Sequence, residues 1–152
     1  MAYWLMKSEP GNYSIDDLIR DKKTDWTGVR NHQAKNFMLK DMKPKDKAVF
    51  YHSNAEPSAA VGIMSIVSLA EPDRTQFDAS SQYFEKRATK TKPVWFCVEV
   101  GLAQKFKKAL SLAELRNNPQ LKSMEMLRPG SRLSITPLTE KEYEVLCKLG
   151  GL

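Results

Sequence analysis

Residues 47–53, 60–69 and 93–100 are runs rich in β-branched and aromatic side chains, and no other feature of the chain limits its fold as strongly. Residues 3–6 and 132–136 add two shorter runs of the same character. Within 94–100 the valines and Phe96 fall on one face and Trp95, Cys97 and Glu99 on the other, so one face reads as core and the other as mixed. The intervals between runs are unequal, whereas a doubly wound fold needs regular βα alternation. The spacing therefore predicts an α+β domain: a small mixed barrel or curled β-sheet with peripheral helices.

The helices announce themselves by their starts. Ser14 is followed by Asp17 three residues on, with Tyr13 and Leu18 placed as a hydrophobic staple. The same grammar returns at Ser111 with Glu114, and at Thr139 with Glu142. At 152 residues and 41% hydrophobic composition the chain supplies one core, so residues 1–152 are read as a single domain. The stretch 70–92 is long and polar but stands between sheet-like segments, which marks it as a functional loop or lid rather than a linker.

Twenty-four Lys and Arg against 18 Asp and Glu leave a net charge of +6, which favours polyanionic partners only modestly. No apolar run approaches the roughly 18 residues of a membrane span, and the N-terminus carries no basic, apolar leader. The expectation is a soluble, cytoplasmic monomer. Cys97 and Cys147 have no metal spacing and read as two buried thiols. Two His and two Cys scattered at 32, 52, 97 and 147 match neither a zinc site nor a base-deaminase signature, so neither a metal nor a cofactor is expected.

The segment WTGVRNHQAKN, residues 26–36, is dense in polar groups beside an indole. In one reading Asn31 caps a helix whose buried stripe is Ala34, Phe37, Met38 and Met42, Trp26 is core, and Arg30, His32 and Lys35 are solvated. In the other, Trp26 is a stacking wall for a nucleobase, Asn31 meets its hydrogen-bonding edge, and Arg30 and Lys35 meet phosphate. On a helix Gln33 points away from Asn31 and Lys35, so Asn31 ranks above it.

This segment, together with YWLMKSEP at 3–10, VFYHS at 49–53 and TQFD at 75–78, resembles the EVE domain family over essentially the whole chain. The resemblance implies a PUA-like fold, a curled mixed sheet with helices around it. It also implies binding of nucleic acid, DNA or RNA, that carries a modified base, with no catalytic activity. The family's recurrent positions fall on Lys7, Ser8, Trp26, Arg30, Asn31, Gln33, Asn36, Tyr51, His52 and Ser53, and Trp95 matches a common later aromatic. Relatives often carry Gly-Asp where this chain has Lys45-Asp46, and residues 55–60 replace a commonly Lys- and Gly-containing turn; both touch loops expected near the site.

The expected base pocket is therefore Trp26, Asn31, Ser8, Tyr51, His52, Ser53 and Trp95, with Lys7, Arg30, Lys35, Lys86, Arg87, Lys90 and Lys92 as a phosphate-facing rim. Each has a plain structural alternative. Tryptophans are usually core, Ser8 caps a turn, His52 is a packing or hydrogen-bonding residue, and the lysines are a solvated face. A non-enzymatic reader is the leading expectation. A small enzyme acting on a nucleotide or nucleic acid, using His52 or Asp73 and Asp78, and a protein-interaction module are the competing ones.

Overall fold

A computed structural model describes all residues from Met1 to Leu152. Its centre is a six-stranded sheet ordered β2-β7-β4-β3-β1-β8, formed by β1 (Tyr3–Ser8), β2 (Lys23–Asp25), β3 (Lys47–His52), β4 (Ala59–Ile66), β7 (Glu99–Ser111) and β8 (Ile135–Leu138). β1 and β3 run parallel; the other pairs are antiparallel. Register irregularities within β3–β4 and β4–β7 bend the sheet into a half-barrel. Two core clusters lie on its two faces. One gathers Trp4, Met6, Phe50 and Met64, and the other gathers Leu5, Val49, Tyr51 and Leu146, as alternation along β1 and β3 requires.

Local capping chemistry sets the helices as expected. Ser14 and Asp17 form a reciprocal box at the start of α1 (Ile15–Asp21), Ser111 and Glu114 at α3 (Leu112–Arg116), and Thr139 and Glu142 at α4 (Glu140–Leu149). Asn31 caps α2 (His32–Asn36), accepting a hydrogen bond from the Ala34 N–H at 3.0 Å. A π-helical turn, Phe37–Asp41, extends α2 and keeps Met38 and Met42 in the core beside Ala34. No helix is long and apolar enough to cross a membrane.

Three expectations change. Residues 93–100 are not one strand: Phe96–Cys97 (β6) pairs with Glu71–Pro72 (β5) in a separate ribbon, the chain breaks at Val98, and β7 starts at Glu99 and runs for 13 residues. Both Trp95 and Cys97 are buried as a result, so the face read as mixed is also covered. Both cysteines are free, but only Cys97 is fully buried, and burial pushes its thiol up to about 12. Finally, Lys45-Asp46 lies before β3, at the end of the sheet away from His52. There Lys45 takes a left-handed φ of 81°, which glycine adopts more easily, and the buried Asp46 accepts from Ala2 N–H and from the Trp4 indole.

Candidate nucleic-acid interface

At the C-terminal ends of β1 and β3 the sheet opens into a cleft of about 1070 Å³. Its strand ends are pinned: Ser53 N–H donates to Ser8 O at 3.1 Å, and Lys7 N–H to Ser134 O at 2.8 Å. The Ser8 hydroxyl donates to Tyr13 O at 2.7 Å and closes the turn into α1. The segment Trp26–Arg30 forms the opposite wall.

Trp26 lies between the two readings of it. It is 6% exposed and meets Phe50 edge-on with ring centroids 5.2 Å apart, which makes it a core residue. Yet it also lines the cleft. Of the three indoles, Trp4 and Trp95 donate to Asp46 and Glu85, whereas the Trp26 N–H has no acceptor in the protein and is not sealed from solvent.

Charge in the cleft is unevenly compensated. Asp25 pairs with Arg74 at 3.6 Å, Asp21 with Arg20 at 2.8 Å, and Glu9 accepts from Asn54 at 2.7 Å. No ion pair includes Lys7 or Arg132, which both line the cleft. Burial alone lowers the Lys7 pKa, so its ammonium is partly desolvated without a counter-charge. An anion at this point would favour the charged form.

Arg30, expected on the phosphate-facing rim, is engaged within the protein. Its guanidinium, 21% exposed, donates to Tyr83 O at 2.8 and 3.2 Å, to Asp73 Oδ2 at 3.1 Å, to Thr75 Oγ1 at 3.1 Å and to Val29 O at 3.0 Å. Asp73 is fully buried and also accepts from Gly28 N–H at 2.8 Å. Burial pushes the Asp73 pKa up, but the Thr75 hydroxyl, Gly28 N–H, Arg30 guanidinium and Thr75 N–H outweigh it and hold the carboxyl below its usual range. Gly28 has φ +88°, and a Cβ there would stand 2.7 Å from the Tyr83 ring, so only glycine lets Tyr83 close against this wall. The polar density of residues 26–31 is thus largely the root of the 73–95 loop.

Gln76 completes that root. Its side-chain amide donates to Asp73 O and Trp95 O and accepts from the N–H groups of Val94 and Trp95, so one buried side chain ties both ends of the loop together.

Several expected pocket residues lie elsewhere. Trp95 donates to Glu85 at 3.1 Å and stacks on His32 with centroids 4.7 Å apart, with Arg30 and Lys35 over its ring at 5.4 and 5.6 Å. Asn31 is committed to its cap. Tyr51 is packed in the second core, because alternation along β3 turns it to the face opposite Phe50. His52 Nε2 accepts from Ile15 N–H at 3.0 Å, and burial lowers its pKa, so it is a neutral imidazole anchoring α1. That hydrogen bond occupies the lone pair which a general base would need. The structure therefore gathers Lys7, Ser8, Trp26, Arg30 and Ser53 at the cleft and leaves Asn31, Lys35, Tyr51, His52 and Trp95 out of it. Lys86, Arg87, Lys90 and Lys92 are exposed on the loop outside the cleft; Arg87 pairs with Glu85 at 3.1 Å, and the three lysines are unpaired.

Sequence reasoning passed over Asn54, Gln82, Tyr83 and Arg132, which line the cleft from three separate loops. Their convergence is set by long-range contacts, and no local spacing signals it.

A pinned half-barrel with a polar cleft at its strand ends is a PUA-like domain. The chain belongs to the EVE domain family, whose model matches residues 2–149. It is 40% identical to rat thymocyte nuclear protein 1 over 97% of this chain and 73% of that protein. A Pseudomonas syringae protein of known structure is 41% identical, with a TM-score of 0.94 over 98% of this chain and 99% of that one. The human THYN1 protein in complex with DNA containing 5-methylcytosine is 35% identical, with a TM-score of 0.91 over 100% of this chain and 99% of that one.

Proposed function

We propose that this chain is a non-enzymatic reader of a modified base in nucleic acid, which it receives in the cleft at the ends of β1 and β3. The observation that carries the reading is Trp26. Its ring is packed edge-on in the core, its indole N–H has no acceptor in the protein, and the residue lines the same cleft as the uncompensated Lys7. A rigid aromatic edge with a free donor suits a flat ligand that carries acceptors, and a desolvated ammonium suits the phosphate attached to it. The likeness to the methylcytosine-DNA complex of human THYN1 supports a modified DNA base as the ligand. Ser8, Ser53 and Tyr83 supply further polar contacts, and the loop lysines supply charge outside the cleft.

The reading is tested by titrating matched oligonucleotides, with and without 5-methylcytosine and in single- and double-stranded form, and recovering them afterwards. Stoichiometric binding that favours the modified base, with the oligonucleotide returned unchanged, is expected. Equal affinity for both, or turnover, overturns it. In the same assay, replacing Lys86, Arg87, Lys90 and Lys92 together by Ala weakens binding to every sequence alike. It also flattens the slope of log affinity against log salt by about 3–4, because each of the four phosphate contacts contributes about 0.9. An unchanged slope in the folded variant assigns the four residues to solubility.

A further inference from the structure

We propose that Phe84 is a wedge that enters the base stack of a duplex beside the nucleotide held in the cleft, filling the space that the extruded base leaves. The inference rests on the cleft reading above and specifies its partner as double-stranded. Phe84 is 43% exposed, and a lone exposed aromatic needs no explanation by itself. The backbone on either side of it does. The Tyr83 carbonyl is gripped by two Arg30 hydrogen bonds, and the Tyr83 ring rests on Gly28. Phe84 N–H donates to Ser81 O at 3.2 Å, and Glu85 N–H to Gln76 O at 2.9 Å. The Glu85 carboxylate is held by Arg87 and by the Trp95 indole, which bring its pKa down to about 2. An apolar ring is thus presented to solvent from a loop fixed immediately before and after it.

Position and charge give the ring its occupant. Gln82 and Tyr83 line the cleft and Phe84 follows them directly in the chain, exposed and outside the lining itself, while Lys86, two residues further on, has no acidic partner. A base taken into the cleft from a duplex leaves an unstacked step, and an apolar side chain inserted there recovers part of the lost stacking. A single strand has no such step to refill. A cationic neighbour places a phosphate next to the ring.

The test uses the full chain with Phe84→Ala and Phe84→Trp against a DNA duplex carrying one 5-methylcytosine and against the same strand alone, with 2-aminopurine next to the modified base. Phe84 is surface-placed, so unchanged melting curves serve as the folding control. Phe84→Ala is expected to lose about tenfold or more in duplex affinity, as expected for removing one stacking contact, and to change single-strand affinity by less than about twofold. It should also abolish the 2-aminopurine fluorescence change on duplex binding, and Phe84→Trp should restore both. Equal duplex affinity for Phe84→Ala and wild type, or equal losses on duplex and single strand, overturns the wedge while leaving the cleft reading intact. Failure of the wild type to prefer the modified oligonucleotide in either form overturns both.

Discussion

Replacing Asp73 by Ala is expected to lower the unfolding free energy by about 3–5 kcal/mol, the range for removing one partner of a buried ion pair. Asp73 is fully buried and accepts from Gly28 N–H, the Arg30 guanidinium and both donors of Thr75, so its loss leaves several polar groups without partners at once. The check is a denaturant titration followed by tryptophan fluorescence, since Trp95 is tied into the same loop root through Gln76. pH gives an independent readout. The folded carboxyl has its pKa depressed, so its contribution is fully present above the unfolded value of about 3.9 and is lost as pH falls through the folded value. Asp73→Asn, which cannot ionise, should show a flatter loss of stability across that acid window. A loss of less than about 1 kcal/mol in Asp73→Ala would remove the loop-root role assigned to Asp73 and Arg30.

Trp26→Ala is expected to cost a similar amount, about 3–5 kcal/mol, because the ring is packed edge-on against Phe50 in the larger core cluster. That loss alone does not separate a core residue from a cleft residue. Trp26→Phe separates them better, since it keeps an aromatic ring in the core while removing the free indole N–H together with part of the bicyclic ring. It is expected to fold, to melt slightly below wild type, and to bind the modified oligonucleotide about fivefold more weakly, the size of one neutral hydrogen bond near 1 kcal/mol. Unchanged affinity in Trp26→Phe would make Trp26 a purely structural residue.

Features fixed by neighbours in sequence were legible. The capping boxes at Ser14, Ser111 and Thr139 and the Asn31 cap each need only residues three positions apart, and all of them form. The strands at Lys47–His52 and Ala59–Ile66 were legible for the same reason, having clear alternation or a continuous apolar run. β7 was not. Between its pairings with Ala60 and Gly62, which a single residue separates on β4, it carries four residues, Phe106 to Ala109, so its alternation breaks there.

The site was harder to read because its partners are far apart in sequence. Arg30 carries the charge and position of a phosphate ligand until Asp73 and Tyr83, more than forty residues away, are seen to occupy it. Trp95 and Asn31 looked like pocket residues by type, but Glu85 and the Ala34 N–H already hold them. Tyr51 lies within β3 and faces the second core, whereas Ser53 lies beyond the strand's end at His52, where the cleft opens. Lys7, Ser8, Ser53 and Trp26 remain at the cleft because they sit at strand ends, where the sheet opens.

The central claim is that nucleic acid is bound in this cleft, and the most direct measurement is an amide NMR titration of the labelled protein with a duplex carrying one 5-methylcytosine. The largest shifts are expected at Lys7, Ser8, Trp26, Thr27, Ser53 and Tyr83, including the Trp26 indole N–H, and they should be larger for the methylated duplex than for the unmethylated one. Shifts confined to His32, Lys35 and Trp95 on the outer cluster, or shifts identical for the two duplexes, would contradict it.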